Sequence, residues 1–164
     1  MRLTRLLAPV VALALSGALA ACGTSDPVSP PALNDTGVVE TTTFAPGFGI
    51  DLSATGWTHT ANGLYYRTVI AAGAGADTVA AGDQVTVNYA VYLVNGLQID
   101  GGTFSFIPGH NDVIPGVDQG VTGMQVGERR LLLIPASLGY GAAGQGSVPP
   151  NSTLVFLVEV VAAN

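Results

Sequence analysis

Val85-Thr86-Val87-Asn88-Tyr89-Ala90-Val91-Tyr92-Leu93-Val94 runs into Asn95-Gly96 and then into Leu97-Gln98-Ile99-Asp100. The first ten residues alternate at period two over most of their length and are rich in β-branched and aromatic side chains, which suits a half-buried strand. Asn and Gly both tolerate positive φ, so Asn95-Gly96 has the chemistry of a tight hairpin turn that returns the chain through Leu97–Asp100 as an antiparallel partner. Thr103-Phe104-Ser105-Phe106-Ile107 alternates again.

Outward from this hairpin the same signal recurs. Leu64 to Ile70, after the turn residues Asn62-Gly63, reads as a strand, and so do Arg129 to Ile134 and Ser152 to Val161. Between them, Val113, Ile114, Val117, Val121 and Met124 fall at helical spacing, with Pro115 tolerated in a first turn. Gly116 and Gly120 disfavour a helix on propensity alone. The pattern predicts an α+β fold, an antiparallel sheet of about five strands with one short helix and no internal repeat.

Upstream, Gly49-Ile50-Asp51-Leu52 is expected as a short leading strand, and Trp57 as packing for this lead-in. Gly23 to about Phe48 is dominated by Thr, Ser, Pro, Asp and Gly and reads as a flexible tether. Arg2 and Arg5 precede the apolar run Leu6 to Leu19, which is short of the roughly 20 residues of a bilayer span. Leu19-Ala20-Ala21-Cys22 resembles a bacterial lipobox, which implies cleavage before Cys22, its lipidation and a membrane-surface anchor; the alternative is an ordinary secretory signal cut after Ala20. The expected organisation is a signal peptide at 1–21, a lipidated Cys22 and linker at 22–48, a lead-in at 49–62 and a folded domain at 63–164. The expected location is the cell envelope, on the outer side of the cytoplasmic barrier.

Composition removes several classes of function. The chain has no Lys, and without Arg2 and Arg5 three Arg face eleven acids, so nothing is present to neutralise a nucleic-acid backbone. A single cysteine forms neither an internal disulfide nor a Cys-based metal site. His59 and His110 have no Gly-x-Ser-x-Gly elbow to serve around Ser137, Ser147 or Ser152. Gly141 to Gly146 lacks the Lys of a phosphate-binding loop. No metal or cofactor is expected. What remains is a set of apolar and aromatic residues, Tyr89, Ile99, Phe104, Phe106, Val113, Ile114, Tyr140 and Phe156, and composition leaves open which form core and which line a cavity.

Four ordered blocks resemble the FKBP family of peptidyl-prolyl cis/trans isomerases. They are Gly82 to Asp100, Val113 to Arg130 with Met124-Gln125-Val126-Gly127-Glu128, Ile134-Pro135-Ala136-Ser137-Leu138-Gly139-Tyr140-Gly141, and Val148-Pro149-Pro150-Asn151 through Phe156. The resemblance spans about Gly63 to Ala162. It implies a bent antiparallel sheet wrapped around the short helix, with the pocket between them. It places Tyr89, Phe104, Val113, Ile114, Val117, Tyr140 and Phe156 around a bound prolyl ring, with Ile99 on the wall, and Val148 at the substrate-binding position of a branched aliphatic before the Pro-Pro pair. It also implies that Asp100 and Tyr140 present the polar groups that orient the peptide. Three departures accompany it: Ile99 stands where an aromatic is usual, Val117 where a tryptophan floors the pocket, and the segment from Asp100 to Phe104 is short. Gln145 falls near a loop position that is often His.

The activity so implied needs no nucleophile, base or metal, because the obstacle is the amide resonance itself, about 18–20 kcal/mol, which holds an unaided X-Pro bond for roughly 10–100 s. The implied partners are proline-containing polypeptides, with macrolide inhibitors as a further ligand class. Three readings stand at this point: an isomerase assisting exported proteins, a peptide-binding or chaperone module of the same fold with little turnover, and a structural envelope protein. For the residues themselves, Asp100 as a turn cap and Tyr140 as a packing residue are the simpler alternatives.

Overall fold

The structure, a computed structural model, describes residues 34–164. The signal segment, Cys22 and the first part of the expected tether lie outside the described residues. Six strands form one antiparallel sheet: β1 (Thr58–His59), β2 (Tyr65–Ile70), β3 (Val85–Leu93), β4 (Gln98–Phe106), β5 (Arg129–Ile134) and β6 (Leu154–Ala163), in the order β1-β2-β5-β6-β3-β4. Among the described residues the single α-helix, α1, is Pro115–Val121.

The central hairpin forms as the alternation predicts. Leu93 N donates to Leu97 O and Gly96 N to Leu93 O around the Asn95-Gly96 turn. β4 then continues unbroken through Gly101-Gly102 to Phe106, so the two runs read separately in the sequence are one strand. Helix α1 starts where the pattern places it. Ile114 is held extended (ψ 146°), as a residue preceding proline prefers, and caps a helix whose first residue is Pro115.

The glycines that argue against this helix on propensity are explained by packing. A Cβ at Gly120 would lie 2.6 Å from Leu132 Cδ1, and one at Gly116 would fall onto Ile134 Cγ2. Four residues apart, both glycines face β5 and let the helix backbone rest on it, which offsets their poor helix propensity of about 1 kcal/mol each.

Alternation along the strands produces two cores. On the inner face, Val85, Val87, Leu132, Ile134, Leu154, Val158 and Val160 pack with Phe106 under Val117, Val121 and Met124. On the outer face, Leu131, Leu133 and Val155 pack with Val39, and Phe44, Phe48, Ile50, Leu52 and Trp57 cover Tyr65, Tyr92 and Leu157.

This outer layer departs from the sequence expectation in two ways. Gly49 to Leu52 forms no strand; it follows the 3-10 turn Pro46–Phe48, and the additional edge strand is the two-residue β1 further on. The stretch from Asn34 to Phe48 is no free tether either, since Val39 is fully buried and Phe48 packs edge-on against Tyr92 at 5.7 Å. Trp57 packs as expected, T-shaped on Tyr65, with its Nε1 donating to Asp51 O.

Candidate functional site

The site is assembled on the inner face from five parts of the chain. β3 contributes Tyr89, β4 contributes Ile99, Asp100 and Phe104, β6 contributes Phe156, and the connection into α1 contributes Val113 and Ile114, with Val117 from the helix itself. The loop between β5 and β6 adds Tyr140 and Val148. Ile99, Val113, Ile114, Tyr140 and Phe156 are half-buried against the inner core, of which Val117 and Val148 are buried members.

The remaining three join through specific contacts. The Tyr89 ring stacks on Phe156, with centroids 5.5 Å apart and planes 15° from parallel. Its hydroxyl donates to Asp100 Oδ2 at 3.0 Å. Phe104 stacks at 6.3 Å on the buried Phe106 and remains 45% exposed, so it forms an open rim. All ten residues proposed from the sequence are therefore connected in one constellation; lipidation at Cys22 falls outside the described residues.

The polar groups lie at the exposed margin of this apolar patch. Asp100 is exposed; besides the Tyr89 hydroxyl, its Oδ1 accepts the Gly101 amide at 2.8 Å. That local bond lies within strand β4 and coexists with the cross-strand one. Tyr89 is held protonated more firmly than usual: burial raises its pKa first, then its hydrogen bond to Asp100, the carboxylate charge and the neighbouring Tyr140 hydroxyl. At neutral pH the Tyr89 O–H is thus a fixed donor. Among the described residues no group of His, Cys, Asp and Glu is arranged to hold a metal ion.

At the C-terminal end of α1 lies a buried ion pair that the sequence did not disclose. Arg130 donates from Nε to Glu128 Oε1 at 3.0 Å and from Nη1 to Gly120 O at 2.9 Å, and its guanidinium covers the Tyr66 ring at 4.8 Å. It ties the end of α1 to β5. Burial works against the Glu128 charge, but hydrogen bonds from Thr68 Oγ1 and Gln125 N together with Arg130 outweigh it and lower the carboxyl pKa. The adjacent residues Glu128-Arg129-Arg130 gave no sign of which arginine turns inward; alternation in β5 sends Arg130 to the helix side and Arg129 outward to Glu159 at 2.7 Å.

A sequence model described as FKBP-type peptidyl-prolyl cis-trans isomerase matches residues 75–161. FK506-binding protein 2 of Dictyostelium discoideum is 47% identical over 89 residues, 51% of this chain and 67% of that protein. A peptidyl-prolyl cis-trans isomerase of Schizosaccharomyces pombe is 40% identical over 104 residues, 60% of this chain and 93% of that protein. Among solved structures, FkpA from Escherichia coli superposes with a TM-score of 0.62 at 34% identity, covering 68% of this chain and 53% of FkpA. With strands β3 to β5, most of β6, the helix and the inner-face constellation in the matched region, the chain belongs to the FKBP-type peptidyl-prolyl cis-trans isomerase family.

Proposed function

We propose that this protein accelerates cis/trans rotation of X-Pro bonds in exported polypeptides while tethered to a membrane through Cys22. The observation that carries the catalytic part is the juxtaposition of Tyr89, stacked on Phe156, with Asp100 at the margin of an apolar inner face. A prolyl ring set against Tyr89, Phe104, Val113, Ile114, Val117, Val148 and Phe156, with Ile99 on the wall, leaves its preceding amide near Asp100 and Tyr140. In the twisted transition state the C–N resonance is lost and the carbonyl is less polar than in the planar amide, so an apolar surround favours it relative to water. Tyr140 and Asp100 orient the peptide so that rotation occurs about one bond.

A protease-coupled assay on an X-Pro peptide tests this reading. Turnover that falls at least about tenfold, to a still measurable rate, in Asp100→Val and Tyr140→Phe supports it. Binding without rate enhancement supports the second reading, a peptide-binding module, which Ile99 and Val117 favour because both stand where the family more often has aromatic wall. Macrolide binding belongs to the same proposal and draws on relatives named as FK506-binding proteins.

The tether draws on the run from Arg2 through Leu19-Ala20-Ala21-Cys22. Fatty-acid labelling of cells making the protein or its Cys22→Ala variant tests it; equal labelling of the two rejects the anchor.

A further inference from the structure

Tyr140 and Val148 sit on the long connection from Pro135 to Thr153, which contains only a three-residue 3-10 turn, Ala136–Leu138. A connection of this length holds a side chain in place only if its ends and its middle are fixed. Internally, the amides of Gly139 and Gly141, on either side of Tyr140, both donate to Ala136 O (3.0 and 2.9 Å), and Asn151 N donates to Gly141 O at 2.9 Å. The Tyr140 backbone thus depends on where Ala136 and Asn151 are held.

Both are held by one short segment from outside the sheet. Ala136 N donates to Gly37 O at 2.9 Å. Two residues past Asn151, the amide of the fully buried Thr153 donates to both oxygens of Asp35, 3.0 Å each. Gly37 fits between the two ends of the loop: its φ is +73°, and a Cβ there would lie 2.7 Å from Asn151 O and 3.0 Å from Ala136 Cβ. Asp35 Oδ1 also accepts the Gly37 amide at 3.1 Å, which fixes the turn. Val39, buried on Leu131, Leu133 and Val155, anchors the segment to the outer core.

We propose that Asp35 is a positioning residue for the reaction, a latch that closes both ends of the Tyr140 loop from the opposite side of the sheet. The inference rests on the isomerase reading for its main measurement. A buried amide such as that of Thr153 needs a partner, and Asp35 supplies it with a charged acceptor. Released, Thr153 and Ala136 shift, and Tyr140 shifts with them through Ala136 O and Gly141.

The test is a double-substitution comparison in the full-length protein. Asp35→Ala is expected to lower kcat/KM about fivefold with far-UV circular dichroism unchanged, because small misplacements of an orienting group are expensive in rate. Asp35→Asn, which keeps an oxygen acceptor, should return it to within about twofold of wild type. In a Tyr140→Phe background, Asp35→Ala should cost at most about twofold, since the hydroxyl it positions is gone. An equal loss in both backgrounds overturns the proposal, as does an Asp35→Ala protein with lowered Tm and unchanged kcat/KM below its transition.

If Asp35→Ala does not fold, Asp35→Ser replaces it and is judged by the same outcomes; its hydroxyl still accepts from Gly37 N but is too short to reach Thr153. A wild-type protein without turnover would defeat the isomerase reading alone. The same variants are then compared for affinity toward an X-Pro peptide, and undiminished affinity in Asp35→Ala overturns the latch.

Discussion

The Tyr89 hydroxyl and the Asp100 carboxylate meet at 3.0 Å although the two residues are not opposite one another in the β3–β4 ladder. Tyr89 pairs with Gly102 and Asp100 with Val91, so the contact is a diagonal one on the inner face.

That diagonal gives the first prediction. Asp100→Val should lower kcat/KM for an X-Pro peptide by at least about tenfold, the scale of one lost hydrogen bond to a charged group. Because Asp100 is exposed, the Tm should move little. Tyr89→Phe keeps the stack on Phe156 and should cost about threefold. A protease-coupled assay beside thermal unfolding checks both; unchanged turnover in Asp100→Val would remove this carboxylate from the mechanism.

A second prediction concerns Gly120. On an exposed helix, Gly→Ala stabilises by about 1 kcal/mol. Here the added methyl meets Leu132 Cδ1 and Cδ2 at 2.6 and 2.8 Å. Overpacking of this kind costs about 1–3 kcal/mol, so Gly120→Ala should be destabilising by about 1 kcal/mol in urea unfolding. A stabilised variant would mean that α1 stands further from β5 than described.

These two cases mark what was legible in the sequence. The hairpin could be read because alternation and Asn95-Gly96 are local signals, and α1 could be placed by the spacing of Val113, Val117, Val121 and Met124. The diagonal between Tyr89 and Asp100 could not, since it depends on strand register. The pocket residues came from family resemblance, because composition does not distinguish a half-buried Ile114 from a buried Val117. The outer layer was missed for a physical reason: Val39, Phe44, Phe48, Ile50 and Leu52 enter their core from turns, so they carry neither a helical nor a strand period.

The third prediction is a pH dependence. The folded Glu128 carboxyl has its pKa lowered from 4.5; burial opposes this and is outweighed by the bonds from Thr68, Gln125 and Arg130. A depressed folded value means that stability from this group is present above the unfolded value and is lost as pH falls through the folded one. Glu128→Gln, which leaves the buried Arg130 without a counter-charge, should lower Tm clearly at pH 7. The gap to wild type should narrow as pH drops below about 4.5. A gap constant down to pH 3 would show that Glu128 contributes shape and not charge.

The last prediction weighs the outer layer itself. Val39 lies in a Thr- and Pro-rich stretch whose composition argues for a tether, so Val39→Ala would be expected to be neutral on sequence grounds. In the fold its side chain is fully buried against Leu131, Leu133 and Val155, the reverse sides of the strands that carry the inner core. Removing two buried methyl-sized groups costs their transfer free energy plus that of the cavity left behind, about 2 kcal/mol together. Thr41→Ala, on an exposed neighbour, serves as the control and should stay within about 0.5 kcal/mol of wild type. If chemical denaturation finds the two variants equally stable, the segment from Asn34 to Phe48 does not hold its place on the sheet. The latch through Asp35 would then lose the anchor that Val39 provides.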